Sequence, residues 1–357
     1  MEKLSNHFYG GYVLSNNKQR LPRSYRPSKV GIFLFEGPPR DPLHQSPLSG
    51  IPPINASRAG PSEDGPICLL IDRMASMASD IPSSDKKVPK TKAAVTTRAE
   101  NGVEFVHVPG WEKLPWLWHG FSTRVGGVSS AYGHDDLNLG LTADDTRENV
   151  TRNRELLAEA VTGAAGTPIA TVRQVHSDVV ALATEVAPGP VCEGDGLITD
   201  RTGLLVGVLT ADCTPVLVAD TKRKVVAAFH AGWRGTVKRI VENGIGRMQL
   251  ELGSQPKDLV AAIGPGIGPC CYEVDEEVFS EFGSQFGYAR DLFYEVGARM
   301  HLDVAEANRR QLLDAGLGTG NIEMVGGCTK CQPGLFFSHR GENGRAGRML
   351  NVIGVRG

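Results

Sequence analysis

The sequence predicts an α/β fold, a single domain with a mixed β-sheet flanked by helices, preceded by a disordered N-terminal extension. Three Val-rich apolar runs bounded by turn residues, at 204–209, 216–219 and 225–229, are typical of buried strands. Segments with apolar residues at helical spacing lie before and after these runs. Strands and helices in one chain segment indicate one α/β domain.

The second and third runs are predicted to pair as a hairpin. If Asp220 to Lys224 form the turn, residues opposite each other have numbers that sum to about 445. Cys213 then lies within a residue or two of His230. A thiol and an imidazole at one strand end indicate either a metal site or a nucleophile with its base.

Composition excludes several function classes. With 357 residues and a formal net charge of -2, the chain lacks the basic surface typical of nucleic-acid or anionic-membrane binding. No apolar run approaches the roughly 20 residues of a membrane-spanning helix, and the first residues lack a secretory pattern. Seven cysteines in a chain of this size favour reduced thiols. We therefore expect a soluble cytoplasmic protein; the sequence does not predict its oligomeric state.

Two regions are expected. Residues 1–98 are rich in Pro, Ser, Arg and Lys without any period, which is typical of a disordered extension. Residues 99–357 are predicted to form the catalytic domain. Met74 and Met77 precede its polar lead-in, so one hypothesis is that translation begins at one of them.

The folded region opens with an alternating strand over 103–109, followed by a candidate anion site. Arg124 precedes a Gly pair, and such a turn exposes backbone N–H groups beside a guanidinium. The alternative is a solvated arginine before a hairpin turn. Next, residues 146–160 are predicted to be a helix with Thr146 as N-cap. A strand over 169–175 then leads to His176.

Acidic residues come next, at Glu193 and Asp195. Two carboxylates are too few for a hard cation, so an ordinary turn is expected there. After His230, the sequence predicts one helix whose inner face is apolar and whose N-terminal N–H groups, with Arg234 and Gly235, form a second candidate anion site. The inner-face residues are Val237, Ile240, Val241, Ile245 and Met248.

The last third contains a buried strand over 260–263, a helix over 303–315 and two final strands. Cys270 and Cys271 end a Gly- and Pro-rich loop that is unlike a dinucleotide-binding fingerprint. Cys328 and Cys331 form a single CxxC, which is too little for a four-cysteine zinc ribbon. Structural thiols, a partial metal site and a disulfide all remain open for this pair.

His176, Cys213 and His230 are the strongest constellation. Two imidazoles and one thiolate suit zinc, and three protein ligands leave one position for water, as in catalytic sites. The alternative is free of metal: Cys213 is the nucleophile, His230 is its base, and Asp212 orients that base. Metal content distinguishes the two hypotheses.

Over residues 103–353 the chain resembles the YfiH family, whose members are also called laccase-domain, purine nucleoside phosphorylase or peptidoglycan editing factor proteins. The motifs that carry the resemblance are, in order, HGFSTRVGGVS, NLGL, RQVHSD, EGDGLIT, TADCTPVLVAD, AAFHAGWRGT, AAIGPGIGPCCYEV and FFSHR with GRM. The resemblance implies a YfiH-like fold, zinc bound by His176, Cys213 and His230, and Arg124 in the active site. His339 is a departure, since many relatives carry an aromatic residue there.

The activity implied by the resemblance is phosphorolysis of adenosine, inosine and methylthioadenosine to the base and a sugar 1-phosphate, with deamination of adenosine. Purine nucleosides and phosphate are then the binding partners. We expect Arg124 and the turn at Arg234 and Gly235 to hold phosphate, and Asp212 or His119 to act as general acid.

Four alternatives remain open. Some relatives edit peptidoglycan precursors, removing L-Ser from UDP-MurNAc-L-Ser. The metal-free Cys/His hydrolase and a zinc-stabilised binding module without turnover are two more. A copper polyphenol oxidase is disfavoured because such enzymes need about ten histidines in paired motifs, whereas this chain has 9 histidines that are scattered along the sequence. Copper could nevertheless replace zinc adventitiously.

Overall fold

The computed structural model describes residues 86–89, 93–185 and 189–357. The hypothesis of a start at Met74 or Met77, and most of the predicted extension, lie outside the described residues. The strands are β1 (Thr96–Arg98), β2 (Glu104–Val106), β3 (Leu117–Ser122), β4 (Val125–Ser129), β5 (Ile169–Ala170), β6 (Val180–Leu182), β7 (Gly196–Thr199), β8 (Leu205–Thr210), β9 (Thr214–Asp220), β10 (Val226–Ala231), β11 (Leu259–Ile263), β12 (Glu273–Val274), β13 (Phe293–Val296), β14 (Arg299–Leu302), β15 (Ile322–Met324) and β16 (Met349–Val355).

Helices connect these strands. The α-helices are α1 (Arg147–Thr162), α2 (Trp233–Val237), α3 (Ile240–Leu252), α4 (Glu276–Gln285) and α5 (Val304–Asp314). Short 3-10 helices lie at Trp111–Lys113, Pro256–Asp258, Ala289–Leu292 and Thr319–Asn321. Among the residues described, no helix is both long and apolar enough to cross a membrane.

All of these strands except β4 form two six-stranded sheets, with orders β1-β2-β3-β16-β8-β5 and β15-β11-β9-β10-β7-β6, and a three-stranded sheet, β12-β14-β13. Both large sheets are mixed, since β5 is parallel to β8, β6 to β7 and β11 to β15, while their other pairs are antiparallel. The α/β class is therefore confirmed. The single predicted sheet is divided because β8 pairs with the C-terminal β16, whereas β9 and β10 pair within the second sheet.

The two large sheets pack against each other and are covered by helices on their outer faces. Alternate residues of β9 explain this arrangement, because side chains of a strand point to opposite faces. Leu217 and Ala219 belong to the core between the sheets, while Val216 and Val218 pack with α3. Leu156 and Leu157 of α1 cover the first sheet from its other side.

The predicted hairpin register is confirmed. Ala219 pairs with Val226, and Pro215 pairs with His230. The residue numbers of both pairs sum to 445, in agreement with the predicted value. His230 thus lies at the end of β10 that faces the residue before β9, Cys213.

Several elements differ from the prediction. Of the two final strands that were expected, only β16 is present, since residues 336–340 form no strand. Thr96–Arg98, assigned to the extension, pairs with β2, so the folded region begins before residue 99. The helix after His230 is broken into α2 and α3 because Arg239 adopts a left-handed conformation with φ 62°. The strand at 169–175 stops at Ala170, and the Gln174 side chain instead bonds both backbone groups of Leu209 at 2.7 Å.

Candidate functional site

The structure brings together the three side chains that the sequence groups as metal ligands. One potential ligand atom from each of His176, Cys213 and His230 lies within 4.8 Å of the other two. The His176 Nε2 atom is 3.9 Å from the Cys213 Sγ atom, and the two imidazole ring centres are 5.0 Å apart. His230 is buried, Cys213 is partly buried and His176 is exposed, so the group faces outward.

Asp195 holds the imidazole of His230 and the backbone of His176. Its buried carboxylate accepts a hydrogen bond from the His230 Nδ1 atom at 2.8 Å. It also accepts hydrogen bonds from the His176 backbone N–H at 3.0 Å and from the Ser177 backbone N–H at 2.6 Å. The Ser177 hydroxyl and the Val175 N–H complete the set. Neither candidate metal group of the described residues includes Asp195, which agrees with the turn expected here. The turn nevertheless has a role in the site, because the carboxylate fixes the His230 tautomer with Nε2 toward the cluster.

The charges of this cluster depend on one another. Burial favours a neutral Asp195, but hydrogen bonds from His230 and Ser177 outweigh it and lower the Asp195 pKa to about 2. Burial likewise opposes charge on Cys213 and His230. Their mutual attraction, with help from His176 and Asp195, nevertheless lowers the Cys213 pKa and raises the His230 pKa. Both shifts favour the thiolate form of Cys213, which is the form that binds a cation.

Backbone conformation at the cluster is unusual. His176 and Asp212 have φ values of 58° and 91°, in a backbone region that residues other than glycine rarely adopt. A Cβ atom on Gly232 would lie 2.9 Å from the Cys213 Sγ atom. Glycine at 232 therefore leaves the space in which the thiol sits.

The cluster opens into a cavity of about 770 Å³ whose wall is rich in arginine. Arg173 is paired with Glu193 at 2.6 Å. The other three arginines have no carboxylate partner among the residues that the structure describes; these are Arg147, Arg154 and Arg348. Cations that are not neutralised by the protein favour an anionic ligand in this cavity.

The sequence alone did not single out these arginines, although a signal existed. Arg147 and Arg154 are seven residues apart on α1, and such spacing places both side chains on one helix face. The Arg154 Nε atom donates to the Leu139 carbonyl at 2.9 Å. Burial, and then the charge of Arg147, lower the Arg154 pKa. An anion bound between them would relieve both effects.

Arg124 lies elsewhere. It lines a different cleft, beside Gly126 and Gly127, and its guanidinium binds Asp136 at 2.6 Å and Glu342 at 3.1 Å. A hydrogen bond with Asp136 is the main cause that raises the Arg124 pKa. Two carboxylates already neutralise this arginine, so the structure does not support the expected phosphate contact.

The second expected phosphate-binding site, at Arg234 and Gly235, is also absent from the cavity wall. Arg234 is exposed and lies over the ring of Trp233, with 4.3 Å between the guanidinium carbon and the ring centre. Gly235 is buried, and a Cβ atom there would lie 3.1 Å from the Ser177 carbonyl oxygen. Neither residue lines the cavity into which the cluster opens. The helix that contains both residues, α2, has only five residues.

Neither candidate general acid is free to act in the cavity. Asp212 directly precedes Cys213, but its carboxylate accepts hydrogen bonds from the Thr329 hydroxyl and from the Arg340 backbone N–H, both at 2.6 Å. His119 packs edge-on against Trp111 and accepts a hydrogen bond from the Val108 N–H. These contacts assign both side chains to holding the fold.

Comparisons with known proteins agree with the fold. The sequence signature described as "Multi-copper polyphenol oxidoreductase laccase" matches residues 118–356. A purine nucleoside phosphorylase of Deinococcus radiodurans is 42% identical over 237 residues, covering 66% of this chain and 88% of the relative. Purine nucleoside phosphorylase YlmD of Geobacillus stearothermophilus is 35% identical over 264 residues, covering 69% of this chain and 96% of the relative.

Solved structures give the same result. The crystal structure of YlmD from Geobacillus stearothermophilus matches with a TM-score of 0.67 and 32% identity, covering 74% of this chain and 100% of that one. The structure of the Bacillus licheniformis hypothetical protein YfiH matches with a TM-score of 0.67 and 31% identity, covering 73% of this chain and 99% of that one.

Proposed function

The chain belongs to the family described as multi-copper polyphenol oxidoreductase laccase, and within it we propose a zinc-dependent purine nucleoside phosphorylase that also deaminates adenosine. Its substrates are adenosine, inosine, methylthioadenosine and phosphate. One observation carries the proposal: a soft-ligand cluster and three arginines without carboxylate partners among the described residues share one cavity. The naming of several relatives as purine nucleoside phosphorylases supports it.

The ligand set fits zinc. His176, Cys213 and His230 offer two imidazoles and one thiolate within 4.8 Å of one another, and the side of the group toward the cavity is open. Asp195 provides the carboxylate partner that zinc-binding histidines usually have. When bound in such an open site, zinc supplies Lewis acidity toward water and polar substrate oxygens, the chemistry that hydrolytic deamination requires.

We assign the phosphate subsite to the arginines of the cavity rather than to Arg124. Phosphorolysis needs phosphate held against the anomeric carbon while the base departs. Arg147 and Arg154 approach from one face of α1, and Arg348 lies on the strand side of the same wall. Their guanidinium groups can bind phosphate oxygens in pairs and neutralise charge as the base leaves.

The nucleoside fits the remaining space. A cavity of about 770 Å³ lies within the usual range for small-molecule sites. His339 is exposed on its wall. We propose that its flat ring contacts the purine base.

The name of the family suggests copper oxidation, which the donor set does not favour. The cluster that includes Cys213 holds two histidines, and the other candidate group in the described chain holds only cysteines. A multi-copper centre needs several paired histidines. One thiolate with two imidazoles can still bind a single copper ion, which supports copper as an adventitious replacement for zinc.

The metal-free hypothesis gains a carboxylate from the structure. Asp195, rather than Asp212, binds His230. Cys213, His230 and Asp195 therefore have the groups of a catalytic triad: a thiol, an imidazole and a carboxylate. His176, which also lies beside the thiol, has no role in such a triad, whereas the zinc hypothesis uses it as a third ligand. Metal content of the purified protein therefore decides between the two.

Product analysis tests the proposal. Protein of known zinc content is given adenosine with and without phosphate, and the products are identified by mass spectrometry, with Cys213→Ala as control. We expect adenine and ribose 1-phosphate only when phosphate is present, inosine without phosphate, and neither product from the variant. Unchanged adenosine overturns the proposal, and turnover of UDP-MurNAc-L-Ser under the same conditions then identifies the peptidoglycan-precursor amidase.

A further inference from the structure

A second group of metal-binding side chains lies apart from the first. Cys270 and Cys271 follow β11, and Cys328 and Cys331 follow β15. The four thiols lie within 4.8 Å of one another. The single CxxC, which the sequence left as a pair, is thus completed by two adjacent cysteines about 60 residues earlier. That pairing depends on tertiary structure and could not be inferred from the motif alone.

The spacing of the sulfur atoms suits a single tetrahedral ion. A zinc–sulfur bond of about 2.3 Å separates the sulfurs of a tetrahedral site by about 3.8 Å. The Cys331 Sγ atom lies 3.6 Å from that of Cys270 and 3.4 Å from that of Cys271. Because the two distances are nearly equal, neither adjacent cysteine is singled out as a disulfide partner of Cys331.

The surroundings favour a bound ion over four free thiols. The Gly268 N–H donates to the Sγ atom of buried Cys328 at 3.3 Å, a contact that stabilises thiolate sulfur. The two loops also meet through the backbone, where the Thr329 N–H donates to the Gly266 carbonyl at 3.1 Å. Both loops are largely irregular, and an ion would join them where they have few sheet hydrogen bonds.

We propose that Cys270, Cys271, Cys328 and Cys331 bind a second zinc ion in a closed, structural site. On binding, each thiol loses its proton to solvent as its sulfur bonds to the metal, so four protons leave for one Zn²⁺. The site then carries two negative charges, and Lys330 lies between two of its ligands in the chain. With four protein ligands the ion has no position open for substrate.

This second site supports the first one. Thr329, between the ligands Cys328 and Cys331, donates from its hydroxyl to Asp212, and the Arg340 N–H binds the other carboxylate oxygen. Asp212 holds the strained turn that presents Cys213. Zinc at the four cysteines therefore holds in place the turn that positions the thiolate. This effect on activity rests on the proposed function, whereas the metal count does not.

Metal analysis by plasma mass spectrometry tests the inference. We expect two zinc ions per wild-type chain, one in Cys331→Ser and one in His176→Ala. Cys192→Ser, which changes an exposed cysteine outside both groups, is the matched control and keeps both ions. A wild-type chain with one zinc that Cys331→Ser retains would overturn the proposal. One zinc that His176→Ala retains and Cys331→Ser loses supports it, while contradicting the metal centre of the proposed function.

A second measurement covers variants that fold poorly. Wild-type protein refolded with cobalt should show intense thiolate-to-cobalt absorption from a four-thiolate site, and Cys331→His should keep two ions with weaker absorption. Mass spectrometry after denaturing alkylation reports the thiols directly. Four alkylated cysteines at these positions are expected, and a disulfide among them would overturn the assignment.

Discussion

Asp195→Asn is the sharpest probe of how the cluster is held. The substitution preserves size and shape but replaces one carboxylate oxygen by an NH₂ group. One oxygen of Asp195 accepts from the His176 N–H and the His230 Nδ1 atom, and the other accepts from Val175 and twice from Ser177. Whichever way the new amide is oriented, its NH₂ group faces at least two donors.

The magnitude follows from those contacts. Two or three buried hydrogen bonds to a charged acceptor are lost, at about 1.5 kcal/mol each. We therefore expect Asp195→Asn to lower the free energy of unfolding by about 3 kcal/mol. Because His230 also loses the partner that fixes its tautomer, zinc affinity should fall roughly 10- to 100-fold.

Two assays measure these effects. Urea denaturation of the metal-free protein gives the stability change, and competition with a zinc chelator gives the affinity. Asp200→Asn is the matched control, since it makes the same substitution at an exposed position at the end of β7. If Asp195→Asn behaved like this control, with affinity within about twofold of wild type, the supporting role of Asp195 would be refuted.

Three further predictions follow from the structure. Gly232→Ala should weaken zinc binding at least about tenfold, because the new Cβ atom would lie 2.9 Å from the Cys213 Sγ atom. The control is Gly246→Ala, whose Cβ atom would have no heavy atom within 4 Å and which should bind zinc normally in the same chelator assay. His119 is partly buried, and desolvation lowers its pKa to about 4, so the fold loses stability as pH falls from about 6.5 toward 4. His119→Gln should remove about 2 kcal/mol of the loss between pH 7 and 5, and equal pH slopes in urea denaturation would contradict this. Arg124→Gln should lower the free energy of unfolding by about 3 kcal/mol, because Asp136 and Glu342 lose their cationic partner. The same variant should leave the KM for phosphate unchanged in steady-state assays, and a raised KM would show that Arg124 contacts phosphate.

Local sequence signals were enough for the framework and for the core of the site. Val-rich runs and a five-residue turn determine the β9–β10 register, and that register alone brings Cys213 near His230. Thr146 as N-cap of α1 was predictable for the same reason, since its hydroxyl accepts from the Asn149 N–H three residues later. Residues close in sequence determine both features.

Contacts between distant loops could not be predicted. Asp195 reaches His176 and His230 only because its loop is enclosed by two other segments. Arg124 is likewise neutralised by Glu342, which lies more than 200 residues later in the chain. No local sequence motif predicts this ion pair. Burial and long-range partners therefore decided which of the plausible side chains remain available for chemistry.

The central claim is that the metal cluster and the arginines form one phosphorolytic site. The most direct test is the rate of adenine release as a function of phosphate concentration, in wild type and in Arg154→Gln, at equal zinc content. We expect saturation by phosphate in wild type, and a KM for phosphate raised at least about tenfold in the variant, with phosphate-independent inosine formation retained. Adenine release that does not depend on phosphate, or an unchanged KM in Arg154→Gln, would contradict the account.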